Sequence, residues 1–457
     1  MEELELIEIF EELKELVSQR KSVALRNKMV ELNPADVAIF IGELEEKDIP
    51  LVYRILPKDF AGEVFSYMEV EEQQLLIHSF SDVELKATID ELWLDDMVDM
   101  IEEMPANVVA RILRSANPSL RKQINELLKY PEDSAGSIMT VEYVSLDQKL
   151  TVTEAFAKIR REGINKETVY TCYVTERRKL LGTVTIKDLL LAGDDDLVGD
   201  IMERNAICVD AYEDKETVAK AFSKYDCLTL PVVDKDGRIV GIVTVDDAID
   251  VIEEEATEDI EKIAAITPSD KPYLKTNVFS LWIKRIPWLL LLMVSATFTG
   301  SIITSFESSL QAFPALIAFI PMLMGTGGNA GGQASVTVIR GLALEEIRMR
   351  DIFRVLWKEI RVSVMCGVIL AALNFVKIIL VDNMLFGSNV TTMENLTVSL
   401  TLVVVVFCSK VIGCTLPIFA KRVGLDPAVM ASPFITTIVD ALSLIVYFII
   451  ASKLLGI

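Results

Sequence analysis

Between Ile286 and Ser452 the chain carries five stretches long and apolar enough to cross a bilayer, at about 286–306, 313–338, 362–381, 397–420 and 432–452. This part of the chain is therefore read as an all-α membrane domain with five spans. Lys and Arg set its orientation. Lys284 and Arg285 precede the first span, Arg340, Arg348, Arg350 and Arg354 fill the second loop, and Lys421 and Arg422 stand in the fourth. The first and third loops hold only Glu307, Asp382 and Glu394. By the positive-inside rule, everything before the first span is cytoplasmic and the C-terminus lies outside.

Two departures from plain apolar sequence stand out. Asp440 lies about 12 Å along a helix beginning near Ser432, far from either end. A carboxylate at the bilayer centre costs about 2.5–3.5 kcal/mol, so a group facing a cavity, an ion path or a partner is expected. A pair with Lys410, or a protonated acid within helix packing, is the plainer reading. The second departure is PMLMGTGGNAGGQ, Pro321 to Gln333, where five glycines interrupt another apolar segment. Without a Cβ, backbone approaches an ion or a neighbouring helix closely, and a broken helix is tolerated at this depth where it lines a cavity. A cation path follows from that, or close helix packing through Gly328, Gly331 and Gly332.

The net charge of −23 is distributed unevenly: residues 286–457 carry +2, which leaves −25 on residues 1–285. Such acidity argues against nucleic acid or an anionic surface as partner of the soluble part, and for cations or simple solubility. The six cysteines show no CxxC spacing, and His78 is the only histidine, so His-based zinc chemistry and a Ser-His-Asp arrangement are excluded. Carboxylates and carbonyls remain as ligands, and they suit hard cations. There is no Gly-rich phosphate loop followed by Lys and no nucleophile with a base, so no enzyme is expected. The acidic, amphipathic start of the chain is not a signal peptide.

Residues 1–130 read as helices punctuated by Pro34, Pro57, Pro105 and Pro118, and the pieces from Leu56 and Met104 resemble each other, as in a helical-repeat array. From there the pattern turns to short β-rich runs alternating with helices, and it is duplicated. TCYVTERRKLLGTVTIKDLL recurs as LPVVDKDGRIVGIVTVDDAI, which aligns Gly182 with Gly241 and Asp188 with Asp247. The unit resembles a CBS domain, so residues 131–200 and 201–246 are expected to form an α+β CBS pair. In that family the Thr and Asp of the GxxTxxD segment often hold a nucleotide ribose. The resemblance thus implies Thr185 with Asp188, and Thr244 with Asp247, as an ATP-type site.

After the second copy, nine carboxylates fall between Asp246 and Glu261, while Ile249, Ile252, Ala256, Ile260 and Ile263 keep one face apolar. Asp246, Asp250, Glu254 and Glu258 recur every four residues, a spacing at which like charges repel along a helix and at which cations would help. A solvated connector is the alternative.

Taken together, GTGGNAGGQ at 325–333, YPEDSAGSIMT at 130–140, TVDDAIDVIEEEATEDI at 244–260 and DPAVMASPFITTIVDA at 426–441 resemble the MgtE family of magnesium channels across essentially the whole chain. The resemblance implies a homodimer in the cell membrane that conducts Mg2+ between the second and fifth spans. The implied path includes Gly328, Asn329, Thr436 and Thr437, with Asp440 as the pore carboxylate. It further implies a cytosolic Mg2+ sensor made of the N-domain (1–130), the CBS pair and a plug helix within residues 247–275, ahead of a membrane domain at 276–457. Regulatory ligands would come from Asp246, Asp247, Asp250, Glu254, Glu255, Glu258 and Asp259. The contrasting expectation is a CBS-containing sensor of a metabolite or ion that is only anchored in the membrane.

Overall fold

The computed structural model describes residues 3–269, 273–274, 276–344, 346–430 and 432–456, so positions 1–2, 270–272, 275, 345, 431 and 457 of the ranges given above lie outside the described residues. The chain divides into two compact units, Met1–Ile252 and Glu253–Ile457.

The first unit opens with ten helices: α1 (Glu3–Ser18), α2 (Ser22–Val30), α3 (Pro34–Gly42), α4 (Ile49–Tyr53) and α5 (Lys58–Ser66), then α6 (Val70–Ser79), α7 (Asp82–Ile89), α8 (Leu94–Glu103), α9 (Ala106–Ser115) and α10 (Pro118–Leu127). Proline punctuates them because it lacks an N–H that the first turn does not need. Pro34 and Pro118 sit at the first helical position behind the capping Asn33 and Asn117, and extended Pro57 and Pro105 precede α5 and α9. Packing runs mostly between alternate helices, α3 on α5, α5 on α7, α7 on α9, α4 on α6 and α8 on α10, with α1 on α2 and α6 on α9 besides, as the similar pieces led one to expect of a stacked array.

Two three-stranded sheets follow, each with a short parallel strand beside an antiparallel pair. The first comprises β1 (Ser145–Leu146), β2 (Thr171–Glu176) and β3 (Lys179–Thr185), and the second β4 (Val209–Asp210), β5 (Thr229–Val233) and β6 (Ile239–Thr244). Their registers match, Val174 opposite Gly182 and Val232 opposite Gly241, with a bulge just after each. The aligned glycines have one cause. A Cβ on Gly182 would stand 2.3 Å from the Glu203 carbonyl oxygen, and one on Gly241 would stand 2.7 Å from that of Thr140. At both places a connecting segment crosses β3 or β6 through a reciprocal pair of backbone hydrogen bonds, Thr183 with Glu203 and Ile242 with Thr140. The helices of the two copies are α11 (Val152–Glu162), α12 (Ile186–Leu191) and α13 (Val198–Ile201), then α14 (Lys215–Tyr225) and the acidic α15 (Val245–Ile263).

The apolar face expected to pack along α15 does not do so within the chain. Ile249 and Ile260 are 50% and 68% exposed, and the buried side is instead Ala248 and Val251. The apolar positions read from the periodicity are therefore the exposed ones, and the helix packs through a neighbouring side.

The second unit is helical: α16 (Val278–Ser305), α17 (Glu307–Ala312), α18 (Ile320–Ala343), α19 (Ile352–Lys377), α20 (Thr392–Arg422) and α21 (Ser432–Leu455). Among the described residues, four helical segments are long and apolar enough to cross a membrane: Val278–Ser305, Met349–Asn383, Thr392–Arg422 and Pro433–Leu455. The expected fifth, α18, spans about 36 Å but is diluted by Gly, Thr, Asn and Gln. Nor does the glycine run break it, since α18 is one continuous α-helix.

Candidate functional site

Two sets of residues carry the chemistry, one in each unit. In the first, α8 buries Leu94, Met97, Val98 and Ile101, and this leaves Asp95, Asp96 and Asp99 one turn apart on a neighbouring face. That face meets the first turn of α15, with Asp246 and Asp247, and two glutamates of the first CBS copy, Glu142 and Glu167. Burial pushes the Asp95 carboxyl up to about 7, helped by Asp96. Burial, then Asp247 and Asp246, pushes Asp96 to about 6. Asp247 is raised to about 7 by burial and by Asp95, and Glu167 to about 8 by burial and the surrounding aspartates. Asp99 shifts the same way, from burial and from Asp247, although solvent reaches its side chain and screens it most. Glu142 is raised by burial, with Lys166 opposing. One carboxylate oxygen each of Glu142 and Glu167 is buried without a hydrogen-bond partner. The arrangement is short of positive charge. Among the described residues no three of these groups converge as a ready-made metal cage.

Asp247 also belongs to a helix cap. Thr244 Oγ1 donates to Asp247 Oδ2 at 2.5 Å, and at the matching place Thr185 Oγ1 donates to Asp188 Oδ2 at 2.6 Å. The Asp188 N–H donates back to Thr185 Oγ1, which closes a capping box on α12. The Thr and Asp pairs thus open both post-sheet helices. Their first role is local.

Further along α15 the carboxylates part company. Asp250, Glu254, Glu255 and Asp259 all have partners of their own. Glu258 is tied to Lys262 at 2.7 Å, and Lys262 reaches Asp426 at 2.8 Å, in the turn before α21. Burial works against the charge on Lys262, but Asp426 and Glu258 outweigh it and raise its pKa.

In the second unit, α18 packs against both α20 and α21 through its glycines. A Cβ on Gly413 of α20 would lie 2.2 Å from the Gly331 carbonyl oxygen, and one on Gly328 would lie 3.0 Å from Thr436 Cγ2 of α21. Gly328 and Thr436 are thus in contact. The opposite face of α18 is open and polar: Gly325, Asn329, Gln333, Thr337 and Arg340, at helical spacing, are all exposed. A Cβ on Gly325 would meet nothing within 4 Å. Only Asn329 of this stripe was singled out from the sequence, though its spacing of four was there to be read.

Asp440 is half-buried, with no ion pair or hydrogen bond among the described residues. Its suggested partner is engaged elsewhere, since Lys410 lies 3.7 Å from Glu359. Thr436 and Thr437 both donate their hydroxyls to the Pro433 carbonyl. Thr437 lines an apolar cavity of 360 Å3 with Trp288, Phe298 and Phe434, on the side facing α16, whereas Thr436 faces α18.

Three family models match the chain: a divalent cation transporter domain over residues 320–450, an MgtE intracellular N domain over 32–133, and CBS domains over 135–195 and 198–254. The chain is 36% identical to the magnesium transporter MgtE of Thermus thermophilus, over 97% of this chain and 98% of that protein. It is 35% identical to the magnesium transporter MgtE of Bacillus subtilis, over 93% of each. The crystal structure of the cytosolic domain of the Mg2+ channel MgtE in complex with ATP covers 52% of this chain and 98% of its own, at 36% identity and a TM-score of 0.50. Enzymes match in part only, as with an inosine-5'-monophosphate dehydrogenase of Aquifex aeolicus over 29% of the chain, so the chain is not an enzyme by kinship. With all domains matched in order and relatives aligned nearly end to end, the chain belongs to the MgtE family.

Proposed function

We propose that the chain forms a homodimeric Mg2+ channel of the cell membrane, gated by Mg2+ on its cytosolic side. The observation that carries the reading is the polar stripe of α18. Thr337 gives its hydroxyl to the Gln333 carbonyl within the helix, but the amides of Asn329 and Gln333 facing hydrocarbon would be stranded, so this face belongs against water or a second copy. With α18 counted as a span despite its low hydropathy, the domain has five, and the Lys and Arg distribution puts the N-terminal domains in the cytoplasm and the C-terminus outside. Relatives named as magnesium transporters supply the substrate.

Mg2+ gives up water reluctantly and is commonly held by one or two carboxylates with its waters retained. Two Asp440 side chains across a twofold axis would offer that, with carbonyls near Gly328 and Asn329 receiving the waters. Thr436, one turn before Asp440, packs against Gly328 on the buried side of α18, and Thr437 lines the apolar cavity, so both are weaker candidates than Asp440 and Asn329. On the cytosolic side, Mg2+ among Asp95, Asp96, Asp99, Asp246 and Asp247 would offset their repulsion and favour the docked arrangement of N-domain and CBS pair by linkage. The rest of α15 serves as the plug, where Lys262, itself paired with Glu258, is bonded to Asp426 in the turn before the pore helix α21. ATP at Thr185, Asp188 and Thr244 is a further ligand, supported by the nucleotide complex of the related cytosolic domain. Liposomes reconstituted with the full chain test the reading: Mg2+ uptake that exceeds uptake of Ca2+, Mn2+ and Ni2+ is expected, and no uptake of any divalent cation would leave only an anchored sensor.

A further inference from the structure

The elbow between α15 and α16 is a built cleft that neither conduction nor Mg2+ sensing uses. α15 ends in a Schellman turn, in which the Ala265 N–H donates to the Lys262 carbonyl and the Ile266 N–H to that of Glu261, with Ala265 at φ 55°. The chain then crosses back onto α16, where the Thr267 N–H donates to the Lys284 carbonyl and Lys284 Nζ donates to the Pro268 carbonyl at 2.6 Å. These bonds frame a cavity of 420 Å3 lined by Thr267, Ser269, Thr276, Glu261, Lys284 and Arg285. The Glu261 carboxylate accepts the Ser269 N–H at 2.8 Å. Lys284 has two donors to spare, and Arg285 has no ion pair or hydrogen bond among the described residues. Among the described lining residues Lys284 and Arg285 outnumber Glu261 by one charge, and the strongest free donors are the Arg285 fork and the Lys284 ammonium.

Its surroundings indicate depth. Tyr273, Phe279 and Trp282 are 68%, 64% and 52% exposed, and the Phe279 and Trp282 rings stand 5.3 Å apart. Aromatic rings of this kind gather at the membrane–water boundary, and the apolar window of α16 just beyond them, which packs on α21 along one side, has no fully buried residue. We infer that this cleft binds the phosphate of an anionic phospholipid headgroup, with Arg285 and Lys284 on the phosphate oxygens and Thr267 and Ser269 beside them. The inference rests on α16 spanning the bilayer and not on conduction, so its failure and that of the channel reading are separable.

The test is a titration of the purified full chain, in a nonionic detergent, with phosphatidylglycerol, phosphatidylcholine or inorganic phosphate, followed by native mass spectrometry. Phosphatidylglycerol is expected to bind ahead of phosphatidylcholine. Arg285→Gln should weaken that binding about fivefold, the weight of one basic residue at an anionic surface. Arg285→Lys should restore part of it, and Arg350→Gln, an exposed arginine elsewhere, should change nothing. Equal binding of both lipids, or Arg285→Gln binding like wild type, would overturn the site. Complete displacement of phosphatidylglycerol by inorganic phosphate would overturn the lipid as its occupant.

Discussion

Lys410 of α20 and Glu359 of α19 face each other at 3.7 Å, both nearly withdrawn from solvent, and one Glu359 oxygen has no hydrogen bond. Removing one partner strands the other, at a cost of about 3–5 kcal/mol, whereas removing both together is often neutral. Lys410→Met and Glu359→Leu should therefore each lower the melting temperature of the detergent-solubilised chain, and the two combined should recover most of the loss. Additive losses in that cycle would mean that the two charges do not interact.

The glycines of the α18 interface fall into two kinds. Gly413→Ala drives a Cβ into the backbone of Gly331, which has no side chain to turn aside, and overpacking of this kind costs about 1–3 kcal/mol or more. Gly325 faces open space, and Gly325→Ala should gain up to about 1 kcal/mol in helix propensity. Thermal unfolding of the two variants side by side checks this. Equal stability would remove the close approach of α18 and α20.

The acidic cluster makes the first unit sensitive to pH. Carboxyls raised to about 6–8 hold protons in the folded state that the unfolded chain releases near 4, so their contribution is favourable below about pH 4 and is lost as pH rises through 6 to 8. A bound cation replaces the lost protons. Mg2+ should thus raise the melting temperature of the full chain little at about pH 5 and markedly at about pH 8.5. A Mg2+ effect that does not change with pH would mean that these carboxylates are not where the ion acts. Asp95→Asn with Asp247→Asn should shrink the effect at the higher pH.

Part of this was legible beforehand, for physical reasons that also mark the limit. Apolar runs and a duplicated glycine and aspartate pattern report local conditions, so four of the five expected spans, the two sheets and the odd carboxylate at Asp440 could be read. Partners across the fold could not. No sequence pattern singles out Asp95, Asp96 and Asp99, which matter only because α15 and the first CBS copy bring Asp247 and Glu167 against them. Lys410 offered itself as the partner of Asp440, and only packing shows it against Glu359. The glycine run pointed equally to a break and to close packing, and the structure has the packing.

The central claim is that Asp440 is the carboxylate past which Mg2+ moves, and flux through liposomes tests it most directly. At equal protein in the membrane, Asp440→Ala should abolish Mg2+ uptake while the folded chain persists, and Asp440→Asn should leave at most a small remainder. Uptake at the wild-type rate in Asp440→Ala would contradict the account.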